Sequence, residues 1–61
     1  MYKLAVWQQG LDGNEWWEIY HYKTVDEAEE CEKDFAKQLE WDVSQEFILD
    51  YYIAIEEEYP E

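Results

Sequence analysis

Residues 11–21, Leu11-Asp12-Gly13-Asn14-Glu15-Trp16-Trp17-Glu18-Ile19-Tyr20-His21, decide the fold of this chain. The Asp-Gly pair separates two runs rich in aromatic and branched residues, "YKLAVWQQ" at 2–9 and "EWWEIYHY" at 15–22. Such residues suit a pleated strand. Asp-Gly supplies the positive φ angles that a tight type I′ turn needs. The stretch therefore predicts a β-hairpin. Adjacent strand residues point to opposite faces, so Trp16 and Trp17 go to different sides of the sheet.

The register says which goes where. A two-residue turn at Asp12-Gly13 sets Val6 opposite Ile19, Leu4 opposite His21 and Gln8 opposite Trp17. One face then holds Leu4, Val6, Trp17 and Ile19. The other holds Trp7, Trp16, Tyr20 and Tyr22. A slip of one residue would scramble the sets, and "QGLDGNE" also admits a longer loop.

After the hairpin comes "TVDEAEECEKDFAKQLE". Thr24 followed by Glu27 is a capping box and marks a helix start. Acids at 26, 27, 29 and 30 suit the positive end of the helix dipole, and Lys33 and Lys37 follow where cations belong. Ala28, Cys31, Phe35 and Leu39 recur at helical spacing and form one apolar stripe. The pattern predicts a helix over about 25–40. The segment "VSQEFILDYYIAIEEE" fits two periods. As a helix, Val43, Phe47, Tyr51 and Ile55 align. As a strand over about 47–56, Phe47, Leu49, Tyr51, Ile53 and Ile55 fill five of five alternate positions, and the strand is preferred.

The expected fold is a single α+β domain over 1–61, in the order ββαβ. A right-handed crossover from the second strand through the helix to the third would skip over the first strand. That gives a three-stranded antiparallel sheet, order 2-1-3, with the helix packed on one face. The other face is left uncovered, with Trp7, Trp16, Tyr20, Tyr22, Ile48 and Tyr52 expected on it. Apolar patches of that size usually mark interaction sites.

Composition narrows the function. Seventeen acids face four lysines in 61 residues, a formal net charge of −13, yet 20% of residues are aromatic. Disordered acidic chains are poor in aromatics, so this chain is expected to fold. Its charge repels phosphates, which excludes nonspecific nucleic-acid binding. It also disfavours anionic membranes and favours a partner with a basic surface. One cysteine, Cys31, permits no internal disulfide, and with one histidine no structural zinc site. Neither a signal peptide nor a membrane span is evident, so a cytoplasmic protein is expected. A chain this small usually needs unusually good packing or oligomerisation.

No catalytic constellation stands out. His21 and Cys31 read as packing residues and Thr24 as a helix cap. "DGNE" lacks the ligand alternation of a calcium loop. No cofactor, metal or enzymatic activity is expected. The helix acids are more telling. Asp26, Glu30 and Asp34 fall at i, i+4 and i+8, where like charges destabilise a helix by a few tenths of a kcal/mol each, roughly. The neighbouring row Glu29-Lys33-Lys37 carries compensating lysines, and this one does not. Carboxylates rising about 6 Å per step can imitate the charges along a nucleic-acid strand. An ordinary solvated helix face is the plainer alternative.

At "DGNEWWEIYH" the chain resembles the small dimeric phage-encoded inhibitors of uracil-DNA glycosylase. Their run reads Asp-Gly, two polar residues, two adjacent aromatics, Glu, an aromatic, then His. Asp12-Gly13, Asn14-Glu15, Trp16-Trp17 and Glu18 match in order, and Ile19-Tyr20-His21 holds one residue more. The match covers about ten residues of 61, alongside small size, acidity and element order. The resemblance implies a homodimer that mimics DNA in the cleft of the host enzyme, with an apolar pocket between subunits for the enzyme's inserted leucine. It implies a contact role for Glu18, and places further contacts at about Ala28, Glu29 and Glu32. The family's aromatics there are not kept, and "Asp34-Phe35" matches its wording too far along the chain. Blocking host repair would place the protein in the host cytoplasm. Other readings are a mimic aimed at a restriction enzyme, nuclease or CRISPR effector, and a plain protein-protein interaction module.

Overall fold

A computed structural model describes residues 1–59. Strands β1 (Tyr2–Gly10) and β2 (Glu15–Tyr22) are followed by helix α1 (Val25–Ser44) and strand β3 (Ile48–Glu57). Both sheet pairings are antiparallel, and the order β2-β1-β3 puts β1 in the centre. The expected ββαβ domain with one helix on one sheet face is what forms.

The hairpin register differs from the two-residue-turn expectation. Gln9 pairs with Glu15 and Leu4 with Tyr20, one residue off throughout. The loop has three residues, Leu11, Asp12 and Gly13. Gly13 donates its N–H to the Gly10 carbonyl (3.0 Å), and Gly10 donates to the Asn14 carbonyl (2.8 Å). Gly13 has φ +89°, the usual state for the residue that closes such a three-residue turn with a bulge. Asp12 also holds the loop, accepting from the Asn14 backbone (3.0 Å) and its side-chain amide (2.7 Å). The extra loop residue turns β2 over. Trp16, Glu18, Tyr20 and Tyr22 lie on the face that α1 covers, with Leu4 and Val6. Trp17, Ile19 and His21 lie on the open face with Trp7, Ala5 and Lys3.

This corrects six placements, that of Ile19 among them, which leaves the core face for the open one and is 44% exposed. Trp16, Tyr20 and Tyr22 do not belong to the open face: Tyr20 stacks on Phe35 of the helix (centroids 5.1 Å apart), and Tyr22 packs against the core. Trp17 is not a core residue and is 57% exposed. Ile48 is buried in the core. Of the expected open face, Trp7 and Tyr52 remain.

Ile48 moves inward because β3 carries a bulge. Gln9 pairs with Asp50 but Gly10 with Ile48, leaving Leu49 opposite nothing and exposed. An extra residue resets the alternation. Tyr51, Ile53 and Ile55 keep their expected inward face.

Helix α1 starts as the capping box predicts: Thr24 Oγ1 accepts from the Glu27 N–H at 3.3 Å. It runs four residues past the expected end. At its C-terminus Glu46 donates to the Val43 carbonyl (3.1 Å) and Phe47 to the Asp42 carbonyl (2.9 Å), with Glu46 at φ 60°. That bonding is a Schellman closure, which favours a glycine in the left-handed position. The Phe47 ring meets Trp41 edge-on at 5.4 Å, the apolar contact that accompanies this closure. Phe47 is therefore part of the helix stop and not of β3.

The core lies between α1 and the sheet, centred on Leu4, Val6, Leu39 and Ile48, with Cys31, Phe35 and Val43 packed against it. Among the described residues only Leu4 and Val6 are large side chains with no exposure. Complete burial of each contributes about 1.5–3 kcal/mol. Among the described residues no helix is long and apolar enough to cross a membrane.

Candidate functional site: an acidic helix and a groove beside it

The sequence of α1 makes one face apolar and leaves the rest acidic. Within residues 25–44 there are eight carboxylates and two lysines. Asp26, Glu30 and Asp34 are all exposed and follow one another at four-residue intervals. Neither Lys33 nor Lys37 forms an ion pair among the described residues, so the expected compensation in the neighbouring row does not form. The two ion pairs found lie elsewhere, Lys3 with Glu56 (3.0 Å) and His21 with Glu58 (3.2 Å). Glu56 raises the Lys3 ammonium above its ordinary value by hydrogen bonding and charge attraction.

The candidate contact residues separate by burial. Glu29 is exposed and Glu32 half-buried. Ala28 is completely buried under the helix, so it cannot touch a partner, which corrects its assignment. Its methyl group sits at the start of the apolar stripe, where the helix approaches the sheet. Glu18 is half-buried on the helix-side face of β2, and its Oε2 accepts from buried Gln8 Nε2 at 3.1 Å. That bond fixes the carboxylate direction, because Gln8 has little room to move.

A groove of about 290 Å³ runs beside α1, lined by Cys31, Asp34, Phe35 and Gln38. These fall at i, i+3, i+4 and i+7, one helix face, and the sequence reading assigned Cys31 and Phe35 to packing alone. The signal was present in that spacing. Phe35 also stacks with Tyr20 of β2. Asp34 therefore belongs to both the acid row and the groove, and Glu18 stands two residues from Tyr20 on the same sheet face. Hydrogen bonding to Cys31, with burial adding, pushes the Tyr22 phenol up to about 12. The arrangement offers one carboxylate, Asp34, on the wall of an apolar slot and at the end of an exposed acid row, which suits binding of a cationic surface with a protruding apolar side chain.

Among the described residues no group of three or more His, Cys, Asp or Glu is placed to hold a metal ion. No known protein family, curated protein or solved structure matches the chain.

Proposed function

We propose that this protein is a non-enzymatic DNA mimic that occupies the basic DNA-binding cleft of a host enzyme, with uracil-DNA glycosylase as the target. The observation that carries the reading is the exposed Asp26-Glu30-Asp34 row on a helix whose lysines pair with none of its acids. A solvated helix face gains nothing from stacking like charges; a surface that must meet cations does. Asp34 is shared between that row and the apolar groove at Phe35, and the half-buried Glu18 adds a fixed carboxylate on the helix-side face of the sheet. The choice of enzyme rests on the likeness at Asp12–His21 to phage-encoded inhibitors of this glycosylase, which also makes the protein a phage product acting in the host cytoplasm.

The test is a uracil-excision assay with the purified chain added. Excision is expected to stop at equimolar inhibitor. Undiminished excision at a large excess would end the claim for this enzyme, and capture from bacterial lysate would then name another DNA-binding target.

A second reading, a protein-protein interaction module, is favoured by the exposed Trp17 and Tyr52 on the open sheet face. Salt separates the two. The Debye length falls from about 10 Å at 0.1 M to about 3 Å at 1 M, so carboxylate-driven binding weakens while apolar binding survives.

A further inference from the structure

The groove beside α1 combines two chemistries in about 290 Å³. Phe35 and Cys31 give it apolar surface, and Asp34 and Gln38 give it oxygens. Asp34 is exposed and forms no ion pair among the described residues. Gln38 donates its amide N–H to Asp42 Oδ1 at 3.1 Å, which leaves its carbonyl oxygen as an acceptor. Phe35 packs against Tyr20 with centroids 5.1 Å apart and rings tilted by 33°. A ring anchored in this way has little freedom left to lose when a ligand lies on it.

We propose that this groove receives an arginine side chain from the basic surface of the partner. The assignment deepens the reading above and rests on it only for that basic surface; the groove lies within one chain. The methylene stem of an arginine lies along Phe35 and Cys31, as long cationic side chains do on apolar surface. Its planar guanidinium stacks on aromatic rings, and its fork of N–H donors matches a carboxylate bidentately. Asp34 and Gln38 are one turn apart on the same helix face, so a guanidinium seated between them donates to both. One side chain thereby meets the cationic and the apolar demand of the site.

Two other occupants fit less well. A leucine or phenylalanine covers the apolar surface but leaves Asp34 against it without a donor, which costs free energy. A lysine brings charge, but its ammonium is compact, strongly hydrated and has no plane to lay on Phe35. The rest of the chain favours a cation in general. The net charge of −13 attracts one from a distance. Glu30 and Asp26 continue from Asp34 at four-residue steps, so neighbouring cations of the same surface meet carboxylates too.

Short peptides test the groove without any enzyme. Hexa-arginine and hexa-lysine carry equal charge, and titration calorimetry on the full chain compares them. Hexa-arginine is expected to bind about 3-fold more tightly, the scale of one cation–π contact at an exposed site. Phe35→Leu and Gln38→Lys should each erase that preference. Gln38→Lys puts a cation in the groove and keeps Asp42 as a partner one turn on, so it decides the matter even where Phe35→Leu fails to fold. Glu40→Gln removes a charge about two and a half turns along from Cys31, on the far side of the helix, and should leave the preference intact. Nuclear Overhauser contacts between the Phe35 ring and the arginine Cδ methylene should appear in the wild-type complex. No binding of hexa-arginine, equal binding of the two peptides, a preference that survives Gln38→Lys, or absence of those contacts overturns the assignment. Uracil excision decides the target separately. A chain that prefers arginine but leaves excision untouched keeps the groove and loses the glycosylase; a chain that stops excision without the preference does the reverse.

Discussion

Gly13 donates its backbone N–H to the carbonyl of Gly10 at 3.0 Å, and that bond determines which of Trp16 and Trp17 faces the helix. It closes a turn one residue longer than Asp-Gly alone would make. Every inward and outward assignment on β2 follows from it.

Gly13→Ala tests the turn. A Cβ there meets no atom within 4 Å, so the cost comes from the backbone at φ +89° alone. A loss of about 1–2 kcal/mol is expected in chemical unfolding, the usual penalty for a left-handed position.

Glu46→Gly tests the helix stop in the opposite direction. Glu46 sits at φ 60°, where glycine carries no side-chain penalty. The variant should gain about 0.5–1 kcal/mol, read as a higher denaturation midpoint with unchanged slope.

Thr24→Ala removes the oxygen that receives the Glu27 N–H. Loss of such a cap costs about 1 kcal/mol. Leu4→Ala, at a side chain with no exposure, should cost about 2–5 kcal/mol and unfold much of the population at 37 °C. Thermal melts followed by circular dichroism distinguish the two magnitudes.

Asp26→Asn combined with Glu30→Gln and Asp34→Asn should abolish the proposed inhibition of uracil excision while leaving the far-ultraviolet spectrum intact. All three positions are exposed, and removing like charges at four-residue spacing favours the helix slightly. Inhibition that persists in the triple variant would reduce the row to a solvated face.

Tyr22 supplies a pH prediction. Its folded-state value, raised from 10.0 to about 12, means the folded chain holds the phenolic proton more tightly than the unfolded chain. The associated stability is fully present below pH 10 and is lost as pH rises through about 12. Ultraviolet titration should show one tyrosine ionising last, with the melting temperature falling across that window. Cys31→Ala should bring that tyrosine back toward its ordinary range, since hydrogen bonding to Cys31 is the largest cause of the shift.

Much of this fold was legible in the residues. Thr24 and Glu27 announced the helix start, and Ala28, Cys31, Phe35 and Leu39 its inner face. The element order and the central position of β1 followed from connection rules. Three features were not legible, and each turns on a single residue. Asp12-Gly13 is compatible with a two- or a three-residue loop, and only tertiary burial of Leu4 and Val6 against Tyr20 and Tyr22 chooses between them. Glu46 stops α1 without glycine, so the usual end signal was missing. Leu49 is the bulge that lets Ile48 enter the core, and unbroken alternation from 47 to 55 concealed it. For the candidate site, the acid row was visible as spacing alone. The groove was not, because spacing alone does not say which residues of the apolar stripe, such as Cys31 and Phe35, stay open beside the helix.

The central position of β1 also orders events in time. β1 is synthesised first but gains its second neighbour only when β3 appears, after the hairpin and the whole of α1. Until then the strand that holds Leu4 and Val6 has one bare edge and half a core. Assembly of the sheet therefore waits on long-range pairing between residues 2–10 and 48–57, which slows folding relative to a helical chain of equal length. A nascent chain halted before Ile48 holds a hairpin and a helix with no completed interior between them.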